Sequence, residues 1–152
     1  MNFSFFRKKQ RIEGEEIDLV VDHEVKPSAF NDFVPSVVYD ITLHGMTERI
    51  GTCDLRLGMN DRLYYAGNIG YRIYPEWRGH GYAYQACLIL FDQAKNVYGI
   101  DRLIITCSPG NVPSKKTLEK LGGRYVETVD VPPDHWLCER GETVKDIYEY
   151  RL

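Results

Sequence analysis

Nowhere in the 152 residues is there an apolar run near the roughly 18 consecutive positions that a membrane-spanning helix needs. There is no internal repeat, no low-complexity tract and no change of composition that would mark a linker. The apolar share of 43% and charged share of 27% are those of a globular chain, which excludes a fibre, a coiled coil and wholesale disorder. Basic charge is also short: 19 Lys and Arg against 22 Asp and Glu leave a net charge of −3. Only Arg7-Lys8-Lys9-Gln10-Arg11 forms a local basic patch, so no nucleic-acid partner is expected. Cys53, Cys87, Cys107 and Cys138 lie far apart with no Cys-x-x-Cys pair. The histidines at 23, 44, 80 and 135 include no i, i+4 pair on a helix, so neither pattern predicts a metal site. Scattered cysteines read as core residues of a reducing compartment, and no secretory pattern precedes them: the basic run follows Phe3, Phe5 and Phe6 instead of leading a longer apolar core. A cytoplasmic protein is expected, with no membrane partner.

What is present divides into two kinds of pattern. Residues 17–21, 37–43, 48–57 and 63–74 are rich in β-branched and aromatic residues and read as strands, the last three as an antiparallel meander. Between the first two, residues 22–36 carry Pro27 and Pro35 and read as a loop with one helical turn. From Tyr82 to Tyr98 the apolar residues Ala83, Ala86, Cys87, Leu90, Phe91, Ala94 and Val97 recur at steps of three and four, one face of a helix stopped by Gly99. Leu103 to Cys107 is a nearly continuous apolar run, the mark of a strand buried on both faces. A second helix runs from Pro113 to Leu121, with proline in its first turn and Gly122 past its end. Strands at 124–129 and 143–151 complete the order β-loop-βββ-α-β-α-ββ. We therefore expect one α+β domain over residues 1–152: a mixed, mainly antiparallel twisted sheet with helices on its faces. Residues 1–15 are expected to be a poorly ordered or arm-like N-terminus.

Chemistry concentrates where a strand ends at Pro75 and a helix opens after Arg78-Gly79-His80-Gly81-Tyr82-Ala83. Two glycines let the backbone turn tightly and come close to a ligand. The first turn of the helix offers unpaired N–H groups at the positive end of its dipole. Together they make an anion cradle suited to phosphate. It is not the dinucleotide fingerprint, because Tyr84 stands where a third Gly or Ala is needed, and no P-loop Gly-Lys-Ser/Thr is present.

This segment resembles the Arg/Gln-x-x-Gly-x-Gly/Ala signature of the GNAT N-acetyltransferase superfamily. Asn111-Val112-Pro113-Ser114, followed by Leu118-Glu119-Lys120-Leu121-Gly122, resembles that family's downstream segment, one helix and one buried strand further on. The likeness runs in order over about residues 36–129, and its glycine-helix loop is the family's pyrophosphate cradle. It implies that acetyl-coenzyme A is the co-substrate. The backbone of Ile73 would bind the pantetheine arm, and backbone groups of Arg78, Gly79, His80, Gly81, Tyr82 and Ala83 the pyrophosphate. Asn111 and Ser114 would contact the cofactor from the opposite wall, and the thioester would lie where the strands around 73 and 103–107 splay apart.

The sequence departs from the family pattern at three places. Asn68 stands where many members carry a general-base glutamate, and an amide takes no proton. Leu118 stands where many carry a tyrosine that protonates the leaving thiolate. Residues 22–36 are too few for the two helices that usually wall the acceptor site, so that side is expected to be open or completed by a partner, with a homodimer the simplest case. Asp54 is the carboxylate that could act as base in place of Asn68, and the two are the candidate catalytic positions. The resemblance implies an acetyl-CoA-dependent N-acetyltransferase acting on a primary amine of a small molecule or protein. The other reading is an acyl-CoA-binding regulatory or sensor module that has lost its chemistry.

Overall fold

The structure, a computed structural model, describes residues 10–152. Its elements in chain order are β1 (Arg11–Glu13), β2 (Ile17–Val25), β3 (Ser36–Leu43), β4 (Arg49–Arg56), β5 (Ile69–Ile73), α1 (Tyr82–Asn96), β6 (Arg102–Cys107), α2 (Val112–Lys120), β7 (Arg124–Asp130), α3 (Trp136–Glu139) and β8 (Val144–Arg151). The α+β class and the run of helix, buried strand and helix after the meander are as the sequence predicts. Every strand pairing is antiparallel, but the strands form two sheets: β1-β2-β3-β4-β5 and β6-β8-β7. Among the described residues no helix is long and apolar enough to cross a membrane.

Alternation decides which sheet face is buried. Val37, Tyr39 and Ile41 of β3 and Cys53 and Leu55 of β4 point into the main core, where α1 lays down Ala86, Cys87, Leu90 and Ala94, all of them inaccessible to solvent. Truncating one of these, Leu90 for example, would cost about 2–5 kcal/mol through lost transfer energy and the cavity left behind. Leu103, Ile104 and Ile105 are buried in succession, which a strand manages only when covered on both faces.

Three segments differ from the sequence reading. First, the N-terminal arm expected over 1–15 is structured from residue 11: β1 pairs with β2, because Arg11 donates to the buried carboxylate of Asp18 at 2.7 Å and to Thr42. The remainder of that arm, with Phe3, Phe5, Phe6 and most of the basic run, lies outside the described residues. Second, β2 continues to Val25 through a bulge between Val21 and His23, so only residues 26–35 are loop; its one helical turn is the 3-10 turn Ala29–Asn31. Third, the strand expected over 63–74 is split into a 3-10 turn (Leu63–Tyr65) and β5. The break falls at Gly67, whose φ is +80° and where a Cβ would stand only 2.8 Å from the Ile104 carbonyl oxygen, so glycine is what lets the chain pass so close to β6.

That crossing is where the two sheets touch. Gly67 bridges to Ile105, and the Asn68 amide N–H donates to the Ile104 carbonyl at 2.6 Å. Past this stitch β5 and β6 run without pairing, and the V between them organises the site. On the side where the shortened wall stands, a second small core of Val34, Leu63, Ala66, Val131 and Leu137 joins the 26–35 loop to α3. Asp32 is its polar hub: Arg62 and Trp136 donate to its buried carboxylate at 3.3 and 3.0 Å, and Asn60 to its carbonyl at 2.7 Å. Those bonds hold Asp32 and Phe33 at φ of 55° and 61°, a left-handed conformation that non-glycine residues seldom take.

Candidate active site

Two cavities open on the V. The first, of about 540 Å³, lies between the end of β5, the start of α1 and α2. Gly79 and Gly81, at φ of +86° and +76°, carry the chain into α1, and the space where a Cβ would stand is open at both. No side chain caps the helix at Gly81, so the first-turn N–H groups face that space. Arg78 folds back, its Nε donating to the Ile73 carbonyl at 2.9 Å, and so braces the loop against β5. Tyr74 turns its N–H toward β4, donating to Ile50 at 2.9 Å, so the backbone groups of Ile73 point the other way, into the V. The Ile73 N–H is thus presented to an extended ligand, while its carbonyl already serves the loop.

Of the cofactor positions read from the sequence, Ile73, Arg78, Gly79, Gly81, Tyr82, Ala83, Asn111 and Ser114 line this cleft. His80 does not: it is exposed and its ring stacks on Tyr82 with centroids 5.2 Å apart. Asn111 is the N-cap of α2, its Oδ1 accepting from the Ser114 N–H at 3.3 Å, which leaves the amide NH₂ for the cleft. Sequence reasoning missed Trp77 and Thr117, which also line it, and the one signal for Thr117 was its place one turn along from Ser114.

The second cavity, of about 410 Å³, lies across the V under α3 and the segment leading to β8. Asp54 of β4 reaches it, lying opposite Gly70 of β5. A Cβ on Gly70 would stand 2.5 Å from the Asp54 carboxylate, so glycine is what admits the carboxylate there. Burial pushes the Asp54 carboxyl above the ordinary aspartate value; Arg56, with Nε 2.8 Å away, and the Gly70 amide pull against that rise. Tyr71, Arg72, Asn111 and Ser114 line both cavities, and the Tyr71 hydroxyl donates to Ser114 Oγ at 3.0 Å across the junction. Burial holds the Tyr71 hydroxyl protonated, its pKa raised to about 12. Cys107 also lines the second cavity, but burial raises its thiol pKa, so it is no ready thiolate.

Asn68 and Leu118 are in neither cavity. Asn68 is buried, its Nδ2 donating to the carbonyls of Arg56 and Gly58 at 3.0 and 2.7 Å and its Oδ1 accepting from the Ile104 N–H at 2.9 Å. It ties β4 to β6 at the point of the V, and the structure places this candidate catalytic position in a buried seam and not in either cavity. Leu118 is core, its carbonyl accepting from the Tyr150 hydroxyl at 2.7 Å. Elsewhere Glu13, Asp18 and His44 bring ligand atoms within 4.8 Å of one another. The Asp18 oxygens already accept from Arg11, His44 and the amides of Gly14 and Gly45, so donors fill the positions a cation would need.

Two strands parted beyond a stitch, with a glycine cradle at the start of the following helix, frame the site. The chain belongs to the GNAT acetyltransferase family, whose domain model matches residues 17–124. A curated relative, an uncharacterized N-acetyltransferase YnaD of Bacillus subtilis, is 32% identical over 56 residues, covering 37% of this chain and 33% of that protein. The chain thus spans about a third of the length of that relative. Among solved structures, a putative ribosomal-protein-serine acetyltransferase from Vibrio cholerae superposes with a TM-score of 0.67 at 13% identity, covering 94% of this chain and 98% of that one. The microcin C7 self-immunity acetyltransferase MccE, solved with acetyl-CoA and AMP, gives 0.57 at 20% identity over 77% of this chain and 61% of its own. At these identities the likeness is one of fold.

Proposed function

We propose that the chain is an acetyl-CoA-dependent N-acetyltransferase that moves an acetyl group onto a primary amine of a small molecule or protein. The observation that carries this is the meeting of two cavities at one junction. One has a backbone cradle for a pyrophosphate, the other holds a half-buried carboxylate, and Tyr71, Arg72, Asn111 and Ser114 stand between them. Open Cβ positions at Gly79 and Gly81 and the uncapped start of α1 fit the phosphates of coenzyme A. When bound, acetyl-CoA supplies the acetyl group as a reactive thioester.

In this reading the Ile73 N–H and the Asn111 amide hold an extended arm along the V, and orientation supplies most of the acceleration. Asp54 takes the proton of the amine as its nitrogen bonds to the acetyl carbon and the bond to sulfur breaks. The raised carboxyl of Asp54 suits it to that task, since a base works best with a pKa nearer the operating pH. Tyr71 offers the departing sulfur a hydrogen bond. A homodimer belongs to the same reading, supported by Phe30 and Phe33 standing 95% and 68% exposed on the shortened wall, and light scattering tests it. Four unpaired cysteines accord with a reducing, cytoplasmic setting.

Thiol release from acetyl-CoA by the purified protein, over a panel of primary amines, tests the reading. Tight coenzyme A binding without transfer to any amine would leave the sensor module instead. Failure to bind coenzyme A would remove both.

A further inference from the structure

The charge of the second cavity stands out against the molecule around it. The chain as a whole is acidic, at −3. In this cavity four cationic side chains, Arg56, Arg72, Arg140 and Lys145, face only two carboxylates, Asp54 and Glu142. Arg56 is committed to Asp54 at 2.8 Å. Lys145, its side chain 6% exposed, sits 2.5 Å from Glu142, and Arg140 Nε lies 3.3 Å from the other oxygen of the same carboxylate, so one negative charge is divided between two cations. Among the described residues Arg72 has no ion pair at all; its guanidinium lies 5.9 Å from the centre of the Tyr74 ring. A surplus of two positive charges therefore falls at Arg72 and Arg140. Arg72 borders both cavities, but the pyrophosphate cradle does not account for Arg140, which lines the second cavity alone.

We infer that the acceptor is an amine that also carries an anionic group, a carboxylate or a phosphate, which Arg72 and Arg140 bind. The inference rests on the acetyltransfer reading for the statement that this cavity takes the amine. A planar guanidinium with several N–H donors matches either anion in two-point fashion. The same positive surplus disfavours the ammonium form of the acceptor's nitrogen, so it works in the same direction as Asp54 in delivering a free amine. Trp136, whose ring lies 5.7 Å from the Arg140 guanidinium, adds an apolar lining beside it.

The test is calorimetric titration of the coenzyme A-saturated protein with matched amines that differ only in charge. γ-Aminobutyrate is compared with γ-aminobutyramide, and phosphoethanolamine with ethanolamine; the first pair reports a carboxylate and the second a phosphate. The charged member of at least one pair should bind more than tenfold tighter, with rising salt eroding the preference. Arg140→Gln should remove most of that preference and leave coenzyme A affinity and melting temperature unchanged. Equal affinity within both pairs overturns the proposal, even where all four amines are acetylated and the acetyltransfer reading stands. Preferential binding of an anionic amine with no transfer to it would uphold the anion site and sink the transferase reading. A preference undiminished in Arg140→Gln overturns the assignment of this residue.

Discussion

The two cavities that meet at Tyr71 are built from different material. The cofactor-side cleft is made of backbone: two glycines at positive φ, the N–H groups of the first turn of α1, and the N–H of Ile73. Its lining residues fall in two short stretches of chain, 71–83 and 111–117. The acceptor-side cavity is made of side chains, drawn from β4, β5, the end of β6, α3 and the approach to β8. A backbone cradle recognises what every member of a fold shares. A side-chain cavity can change at each position without disturbing the fold, so on the proposed reading it is the part that sets specificity.

The contrast can be broken most forcefully from the cofactor side. Gly81→Asp puts a carboxylate into open space at a left-handed position and should weaken coenzyme A binding by about 100-fold or more, about 2.8 kcal/mol. Calorimetry with the circular dichroism spectrum unchanged is the check. From the acceptor side, Asp54→Asn should lower turnover by about 10²- to 10⁴-fold with coenzyme A affinity intact. The pH profile sharpens this. With its carboxyl raised by burial, Asp54 is protonated and idle at acid pH, so kcat/KM should climb through a value above the ordinary aspartate range and then level off. In the Asn variant that limb should vanish, and the residual rate should keep rising toward the pH at which the acceptor amine itself titrates.

A change at the seam should affect both cavities together. Asn68→Ala would leave the Ile104 N–H and two carbonyls without their partner and cost about 3 kcal/mol, read as a fall of about 6–12 °C in melting temperature. A variant that melts normally but has lost all turnover would return Asn68 to the chemistry. The smallest effect is expected at the junction: Tyr71→Phe should lower kcat by about 2- to 10-fold, with stability nearly unchanged.

This division also explains what could be read from the sequence. Strand alternation in β3, β4, β7 and β8, the apolar stripe of α1 and the proline-to-glycine span of α2 placed those elements to within a residue or two, because each is a local pattern. The glycine loop was legible for the same reason. The seam at Asn68 was not legible, because its partner Ile104 lies 36 residues away and no local pattern announces it. The break of the expected 63–74 strand at Gly67 followed from the same long-range contact. Asp54 was legible as a carboxylate on a strand, whereas its company of Gly70, Arg72 and Arg140 was not, since two other parts of the chain, β5 and the end of α3, supply it.

The stitch at Gly67 and Asn68 has a consequence for handling the protein. Beyond it, β5 and β6 present facing edges whose amides and carbonyls do not bond to each other, in a molecule that elsewhere pairs its strands. An extended ligand lying in the V joins the sheets as a strand would, and whatever binds only the folded form adds stability by mass action, about 2.7 kcal/mol at a hundred times its Kd. Storage life, melting temperature and resistance to protease should therefore depend on coenzyme A concentration. Backbone hydrogen exchange along β5 should slow most, at Ile73 ahead of Ile69, because the first lies in the open mouth and the second beside the stitch.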